Sequence, residues 1–493
     1  MSKLVFPCLR PSRTKIVATL GPASDSEDKL LQLLEAGVDV FRLNMAHGGP
    51  KDGQIRLDRI RKVSAQLGIS VAVLADLAGP KMRLGELPGD SYDCEPDVPI
   101  KIVRGHSTTE PNTFTTTYEP LVDELEVGNR IMLADGTVAL EVVEKYKDYV
   151  VCKVIQSGTV RSRQGVNLPG AKLSVKTLQP EDIANAKWAL GAGVDFLGMS
   201  FIRTPEDLLE LREILTNEAG GNVEIVPHII AKIEKPEALD HLEAIVDVAD
   251  GIMVARGDLG VEVDIAQIAV TQKKIISLCR RKNKPVIVAT QMLESMHHLR
   301  IPTRAEATDV ANAILDGADA CMLSGETAVG DNPVLAVQMM HRIAVATEKF
   351  EFTPAIDTTE HCGHLMEEDG TFSETAITDA LCDAAVHLAA QLDAALLLVT
   401  SHTGRMAMVV SGKRSKTLTI GMSRDERALR RMNLYWGVVP VLNAPPTAQE
   451  KLVKVVEAGK ETGYLSTGDR VVMISGIAPE SKLQNLLYAH VVE

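Results

Sequence analysis

At 493 residues, with 45% apolar and 24% charged content, the chain exceeds one ordinary hydrophobic core and should fold as two or three globular domains. Its 52 Lys and Arg against 66 Asp and Glu give a net charge of -14, which excludes generic attraction to nucleic acid or an anionic membrane and leaves room only for local basic sites. Seven scattered cysteines without a CxxC pair, an N-terminal stretch without a signal-like apolar core, and apolar runs well short of the roughly 20 residues of a membrane span point to reduced thiols and a cytoplasmic protein.

In chain order, KIVATLG at 15–21 reads as a strand and SEDKLLQLLEAG at 26–37 as a helix. AGVDVFRLNM at 36–45 is a small turn followed by an apolar strand with a polar end. The phrase returns as AGVDFLGMSF at 192–201, ADGIMVARGDL at 249–259 and DGADACMLSGE at 316–326. VAVLADLAG (71–79), VPHIIAKIE (226–234) and KPVIVATQM (284–292) repeat the strand without the turn, making eight strands in all. Helical patterns such as QPEDIANAKWALGAG (179–193) and TRAEATDVANAILDG (303–317) lie between them. Strand and helix in alternation predict a parallel array, and eight units close into a (β/α)8 TIM barrel.

From Pro80 to Pro169 the texture changes to Val, Thr, Gly and Asp with β alternation, which predicts a small inserted all-β lid at the barrel mouth. After Phe350 a polar link, EFTPAIDTTEHCGHLMEEDGTF, leads to strand patterns DAALLLVT, TLTIGM, GVVPVL and RVVMISG separated by helices. These predict an open α/β sheet with helices on both faces. The expected layout is a barrel from residues 1–79 and 170–345, a β-barrel-like lid over 80–169 and a C-terminal α/β domain over 355–493.

Catalytic groups of such barrels gather where the strands end. That places Arg42, Asn44, Asp76, Ser200, Lys232, Glu234, Arg256, Asp258, Thr290, Ser324 and Glu326 around one mouth, with Lys232 and Glu234, two apart, on one face. Glu234 and Asp258 supply the hard oxygens that Mg²⁺ takes while keeping water and substrate in its other positions. Arg42 offers a planar fork for phosphate. Lys232 is a compact charge able to follow negative charge developing in phosphoryl or enolate chemistry. RGDLG after the sixth strand is a tight turn able to open a helix on an anion. SGKRSK at 411–416 lacks the P-loop spacing, so any nucleotide is held by other means.

The phrases TKIVATLGPAS, FRLNMAHG, GVNLPG, SFIRTPEDL, AKIEKPEAL, GIMVARGDLGVE, KPVIVATQMLESM and PTRAEATDVANAILDGADACMLSGETAVG resemble pyruvate kinase and stand in that family's order from residue 14 to about 335. NLYWGVVPVL and GDRVVMISG extend the likeness through the last domain. The resemblance implies the layout above, a cytoplasmic homotetramer, and the transfer of the phosphoryl group of phosphoenolpyruvate to ADP with Mg²⁺, for which Mn²⁺ substitutes. It implies that Arg42 grips the transferred group, Lys232 stabilises it and the enolate, and Glu234 and Asp258 hold the metal. By the same likeness Gly257, Asp258 and Thr290 seat the substrate carboxylate, with Thr290 near the route of enolate protonation. Asn44, His47 and Arg83 fall on the nucleotide side.

Departures from the family pattern are also legible. NMAHG stands where the family usually has NFSHG, DLAGPKMR where it has DTKGPEIR, and Gln164 where a nucleotide-contacting Lys is common. The monovalent-cation pocket thus keeps Asn44 and Asp76 but loses an oxygen at Ala46, and Lys81 takes the place of a Glu. This implies an internal cation and no potassium requirement. In the last domain, the turn Thr400, Ser401, Thr403, Gly404 and Arg405 leads a strand into a helix and is the expected seat of a phosphorylated effector. GIAPESKLQNLL at 476–487 lacks the Gly-rich loop of fructose-bisphosphate-activated members. Two other readings fit the residues: a metal-dependent barrel aldolase or lyase acting on pyruvate enolate, and a catalytically weak phosphometabolite sensor.

Overall fold

The computed structural model describes residues 11–171, 173–350, 374–442, 444–476 and 485–493; the polar link after Phe350 and most of the 476–487 stretch lie outside them. Eight parallel strands, Lys15–Thr19, Val40–Asn44, Ala72–Asp76, Phe196–Met199, His228–Ile233, Gly251–Ala255, Val286–Ala289 and Ala320–Leu323, close into a barrel, the last pairing with the first. Several helix starts have their reason in the sequence. Ser26 accepts from the Lys29 N–H, Thr303 and Glu306 form a reciprocal cap, and Pro180 fills the first position of its helix behind Gln179. Gly37 and Gly317, with φ of 128° and 102°, end two helices in a conformation that other residues resist.

Alternation along each strand decides what enters the barrel. Val17, Val40, Ala72, Leu74, Phe196, Ile230, Met253, Ile287, Ala320 and Met322 fill its interior. Their neighbours, such as Ile16, Phe41, Val73, Leu197, Ile229 and Val288, pack outward under the helices. Each such side chain contributes about 1.5–3 kcal/mol by leaving water. A period of two then carries Thr19, Arg42, Asn44, Asp76, Ser200, Lys232 and Glu234 to the top of the interior, and the register sets Asn44 beside Asp76 and Asp76 beside Gly198.

Between the third strand and the helix at Pro180–Ala192 stand a six-stranded sheet, a two-stranded sheet and their own buried core around Leu84, Ile102, Phe114, Leu133, Leu140 and Val150. The last sheet has five strands, in the order Val438–Pro440, Leu418–Met422, Leu396–Thr400, Arg470–Gly476 and Asn485–Val491. The first four are parallel, and the fifth, which the pattern of the sequence does not predict, is antiparallel. It is an edge strand in which Tyr488, Ala489 and Val491 stay exposed, so it shows no buried apolar run. The five cysteines among the described residues are free and buried.

Candidate active site

The barrel top carries a chain of alternating charges. Arg42 Nε and Nη2 lie 2.7 and 2.6 Å from Asp76 Oδ2, and Arg42 Nη1 donates to Thr19 Oγ1 at 3.1 Å. On the other carboxylate oxygen, Asp76 Oδ1 lies 3.3 Å from Lys232 Nζ. Lys232 Nζ also lies 2.9 Å from Glu234 Oε1 and donates to Ser200 Oγ at 2.7 Å. Ser200 Oγ in turn donates a hydrogen bond to the Leu77 carbonyl at 2.7 Å, so the lysine is tied to the loop after the third strand. Glu234 Oε2 accepts from the Phe201 N–H at 2.7 Å.

All three central groups are buried, which works against charge, yet the pairings decide their state. Burial raises the Asp76 carboxyl, but Lys232 and Arg42 overcome it and hold it below its ordinary value. Burial lowers Lys232, and Asp76 and Glu234 reverse this, so the ammonium is held charged well above its usual range. For Glu234, burial and the nearby Asp258 carboxylate outweigh Lys232 and push it up. The charge of Asp258 thus works against that of Glu234. That donor set fits a divalent cation with oxygen preference.

Gly198 is required by this packing, because a Cβ there would stand 2.6 Å from Asp76 Oδ1. Phe201, Thr290 and Gln291 hold left-handed φ of 56°, 68° and 55°, strain of about 1–3 kcal/mol each that surrounding contacts must offset. Arg256 offsets part of it. It was expected at the mouth, but it turns away: Arg256 Nη2 donates to the Thr290 and Gln291 carbonyls at 2.9 and 3.1 Å, and Nη1 lies 2.7 Å from Asp309. Its role is to hold the turn that presents Thr290. There, Thr290 Oγ1 accepts from the Gly257 N–H at 2.7 Å. Glu326, also expected to face the mouth, accepts the Leu293 and Ser324 N–H groups and closes the last two strand-end loops.

A cleft of about 450 Å³ separates the mouth from the inserted sheets; Lys81, Arg83, Arg161, Gln164, Lys235 and Asp258 are among its lining residues. Burial and then Lys232 lower the Lys81 ammonium, while Asp258, Asp76 and Glu234 pull the other way. Lys81 thus feels the charged chain from the cleft, although its side chain is exposed by area. His47 is held below the usual imidazole value by burial and then by Lys81, Arg83, Arg42 and Arg56. Asn44 Oδ1 accepts from the Ala46 N–H at 3.2 Å. Arg83 Nη1 donates to the Arg163 carbonyl at 3.2 Å, and Gln164 Oε1 accepts from the Arg161 N–H at 2.7 Å.

Ser200, Phe201 and Lys235 are fixtures that the sequence reading left without a role. Lys235 lies 2.6 Å from Glu262 and over the Phe201 ring at 5.9 Å. Their signal in the sequence is position: all three lie within two residues of the end of a strand, Phe196–Met199 or His228–Ile233. In the last domain, Thr400 is buried and donates to Ser475 at 2.7 Å, and Ser401 Oγ accepts from the Gly404 N–H. Of the expected effector turn, only Thr403 and Arg405 are exposed, and Arg405 lies 3.4 Å from Asp379.

Residues 11–337 match the family description "Pyruvate kinase, barrel domain", and residues 379–490 match "Pyruvate kinase, alpha/beta domain". The chain is 39% identical over 487 residues to the pyruvate kinase of Geobacillus stearothermophilus and 38% identical over 483 residues to that of Bacillus licheniformis. Each match covers 97% of this chain and 80% of the relative. A crystal structure of a pyruvate kinase from Cryptosporidium parvum superposes with a TM-score of 0.88 at 32% identity, covering 98% of this chain and 97% of that one.

Proposed function

The chain belongs to the pyruvate kinase family and is a phosphotransferase, and from that premise we propose that it transfers the phosphoryl group of phosphoenolpyruvate to ADP with Mg²⁺ bound, at the glycolytic step that yields pyruvate and ATP. The observation that carries this reading is the run Thr19, Arg42, Asp76, Lys232, Glu234, in which two cations are oriented by buried carboxylates at the barrel mouth. Arg42 uses one carboxylate as an anchor and turns its remaining N–H groups to the transferred phosphoryl group. Lys232 lies where charge passes from phosphate to enolate, and its hydrogen bond to Ser200 fixes the rotamer before substrate arrives.

Glu234 and Asp258 would hold the metal, which when bound supplies charge neutralisation between the two substrates. Gly257, Asp258 and Thr290 would seat the substrate carboxylate, with Thr290 near the route of enolate protonation. Asn44, His47 and Arg83 would contact the nucleotide in the cleft under a lid formed by residues 80–169, on a catalytic body of residues 1–79 and 170–345. The domain over 355–493 would serve assembly as a cytoplasmic homotetramer and regulation through the Thr403–Arg405 turn. No helix among the described residues is long and apolar enough to cross a membrane.

A coupled assay with phosphoenolpyruvate, ADP and Mg²⁺ tests the reading directly. Absence of pyruvate formation by the folded protein would favour a sensor, and cleavage or condensation without ADP would favour an aldolase or lyase. Glu234→Gln is expected to weaken Mn²⁺ binding, followed by electron paramagnetic resonance, by at least about tenfold, since even an indirect partner of a metal is typically worth 10–100-fold. Unchanged Mn²⁺ affinity would remove Glu234 from the metal site.

A further inference from the structure

At the end of the barrel opposite the mouth, a second cleft of about 320 Å³ opens between barrel and C-terminal sheet, a volume within the range of small-molecule sites. Among the described residues five cations line it, Arg13, Arg280, Lys349, Arg414 and Lys416, against one carboxylate, Glu348. That carboxylate is already engaged. Its two oxygens accept from the Arg13 N–H at 2.8 Å, the Thr14 N–H at 2.7 Å and the Thr14 hydroxyl at 2.6 Å. Asp319, below the cleft, lies 2.9 Å from Arg414 Nη1 and also accepts the Val286 N–H.

Positive charge at the ends of barrel helices has an ordinary explanation. Helices Ile268–Arg281, Arg304–Asp316 and Pro333–Glu348 all end here, and cations satisfy their last carbonyls. Arg414 does so in part, donating to the Gly317 carbonyl. Arg280 does not fit that explanation. Its Nε is buried without a hydrogen-bond partner, and no described carboxylate forms an ion pair with it. Burial and then the neighbouring Arg414 lower its affinity for its proton. Arg414 Nε is likewise buried and unmatched, in a residue whose φ of 53° is left-handed and whose side chain is only 8% exposed.

Trp436 completes the wall. Its ring lies beneath the Arg13 and Arg414 guanidinium groups at 5.5 and 4.8 Å, which orders both before any ligand arrives. Arg13 and Arg414 are held further by the Lys416 carbonyl and by Asp319 and the Gly317 carbonyl, so a surplus of cations in fixed orientation surrounds a pocket of ligand size, the arrangement that phosphate recognition uses.

We propose that this interdomain cleft binds a phosphate monoester, making it an effector site separate from both the catalytic mouth and the Thr403–Arg405 turn. Its walls come from two domains, Arg13, Arg280 and Lys349 from the barrel and Arg414, Lys416 and Trp436 from the C-terminal unit. A ligand bridging them favours one arrangement of the two units and thereby shifts substrate affinity.

The test is isothermal calorimetry on the full-length protein with neither phosphoenolpyruvate nor ADP present, so that its failure is distinct from a failure of the catalytic reading. The probes are a hexose monophosphate, a nucleoside monophosphate and the two unphosphorylated parents, which separate the phosphate from the body that carries it. At least one monoester should bind while its parent does not. The pair Arg280→Gln and Lys349→Gln should weaken that binding by about tenfold or more, as expected for lost charge-assisted hydrogen bonds, at an unchanged melting temperature of the free protein. Arg405→Gln should leave it unaltered. The proposal is overturned if neither monoester binds, if a parent binds equally well, if the double variant binds as the wild type does, or if Arg405→Gln abolishes binding.

Discussion

Lys232→Met should lower phosphoryl transfer by at least about a hundredfold, because a single preorganised charge aimed at a developing anion is worth roughly 3–4 kcal/mol of barrel-mouth catalysis. The buried network adds a second expectation. With the ammonium removed, Arg42 still neutralises Asp76, but Glu234 loses its ion-pair partner. Glu234 is already pushed up by burial and by Asp258, so in the variant it rises further above its unfolded value. A carboxyl whose folded pKa lies above its unfolded value costs stability at any pH above the folded value, and the cost disappears below the unfolded one. The melting temperature of the variant should therefore fall short of the wild type at about pH 8 and approach it at about pH 5. A folded variant with full turnover would reduce Lys232 to a structural partner of Glu234. A stability deficit that widened on acidification would contradict the assignment of Glu234 as the group left unpaired.

Much of the architecture was legible because parallel barrel strands announce themselves twice, by apolar runs and by polar ends. The parity of Val40, Arg42 and Asn44, or of Ile230, Lys232 and Glu234, is a property of the extended backbone, so the charged cluster could be placed before any contact was known. What parity cannot show is where a residue points once its strand has ended. Arg256 follows the sixth strand directly, where the chain is already turning into a helix, and its long side chain reaches carbonyls of the next loop instead of the mouth. Thr400 misleads for the opposite reason: it ends its strand still inside the sheet, and its hydroxyl is taken by Ser475 seventy-five positions on. The edge strand Asn485–Val491 escaped because antiparallel pairing on a sheet border does not require an apolar face. None of these depends on composition or spacing; each depends on a partner distant in sequence.

The wild type should turn over in tetramethylammonium buffer without potassium, and Lys81→Glu should acquire a potassium requirement. The groups that would ligate a monovalent cation are already engaged inside the protein. Asp76 gives one oxygen to Arg42 and faces Lys232 with the other, the Leu77 carbonyl takes the Ser200 hydroxyl, and Asn44 Oδ1 accepts from Ala46, whose own side chain offers no oxygen. Lys81 feels the fields of Asp258, Asp76 and Glu234 and also of Lys232, so its positive charge bears on the same cluster. A potassium ion about 4 Å from that ammonium would be repelled by roughly 4 kcal/mol at the effective dielectric of a partly exposed site, enough to reduce its occupancy several hundredfold. Removing the ammonium and adding a carboxylate reverses the sign of that interaction. The substitution costs little in folding, because Lys81 is exposed and forms no ion pair within reach among the described residues. Steady-state assays with and without added potassium chloride, on both proteins, decide the matter. Strong activation of the wild type by potassium would show that Lys81 does not stand in for the ion. A Lys81→Glu variant that is slow without potassium and recovers with it would place the replaced charge beside the transferred phosphoryl group, where one cation, internal or bound, has to remain.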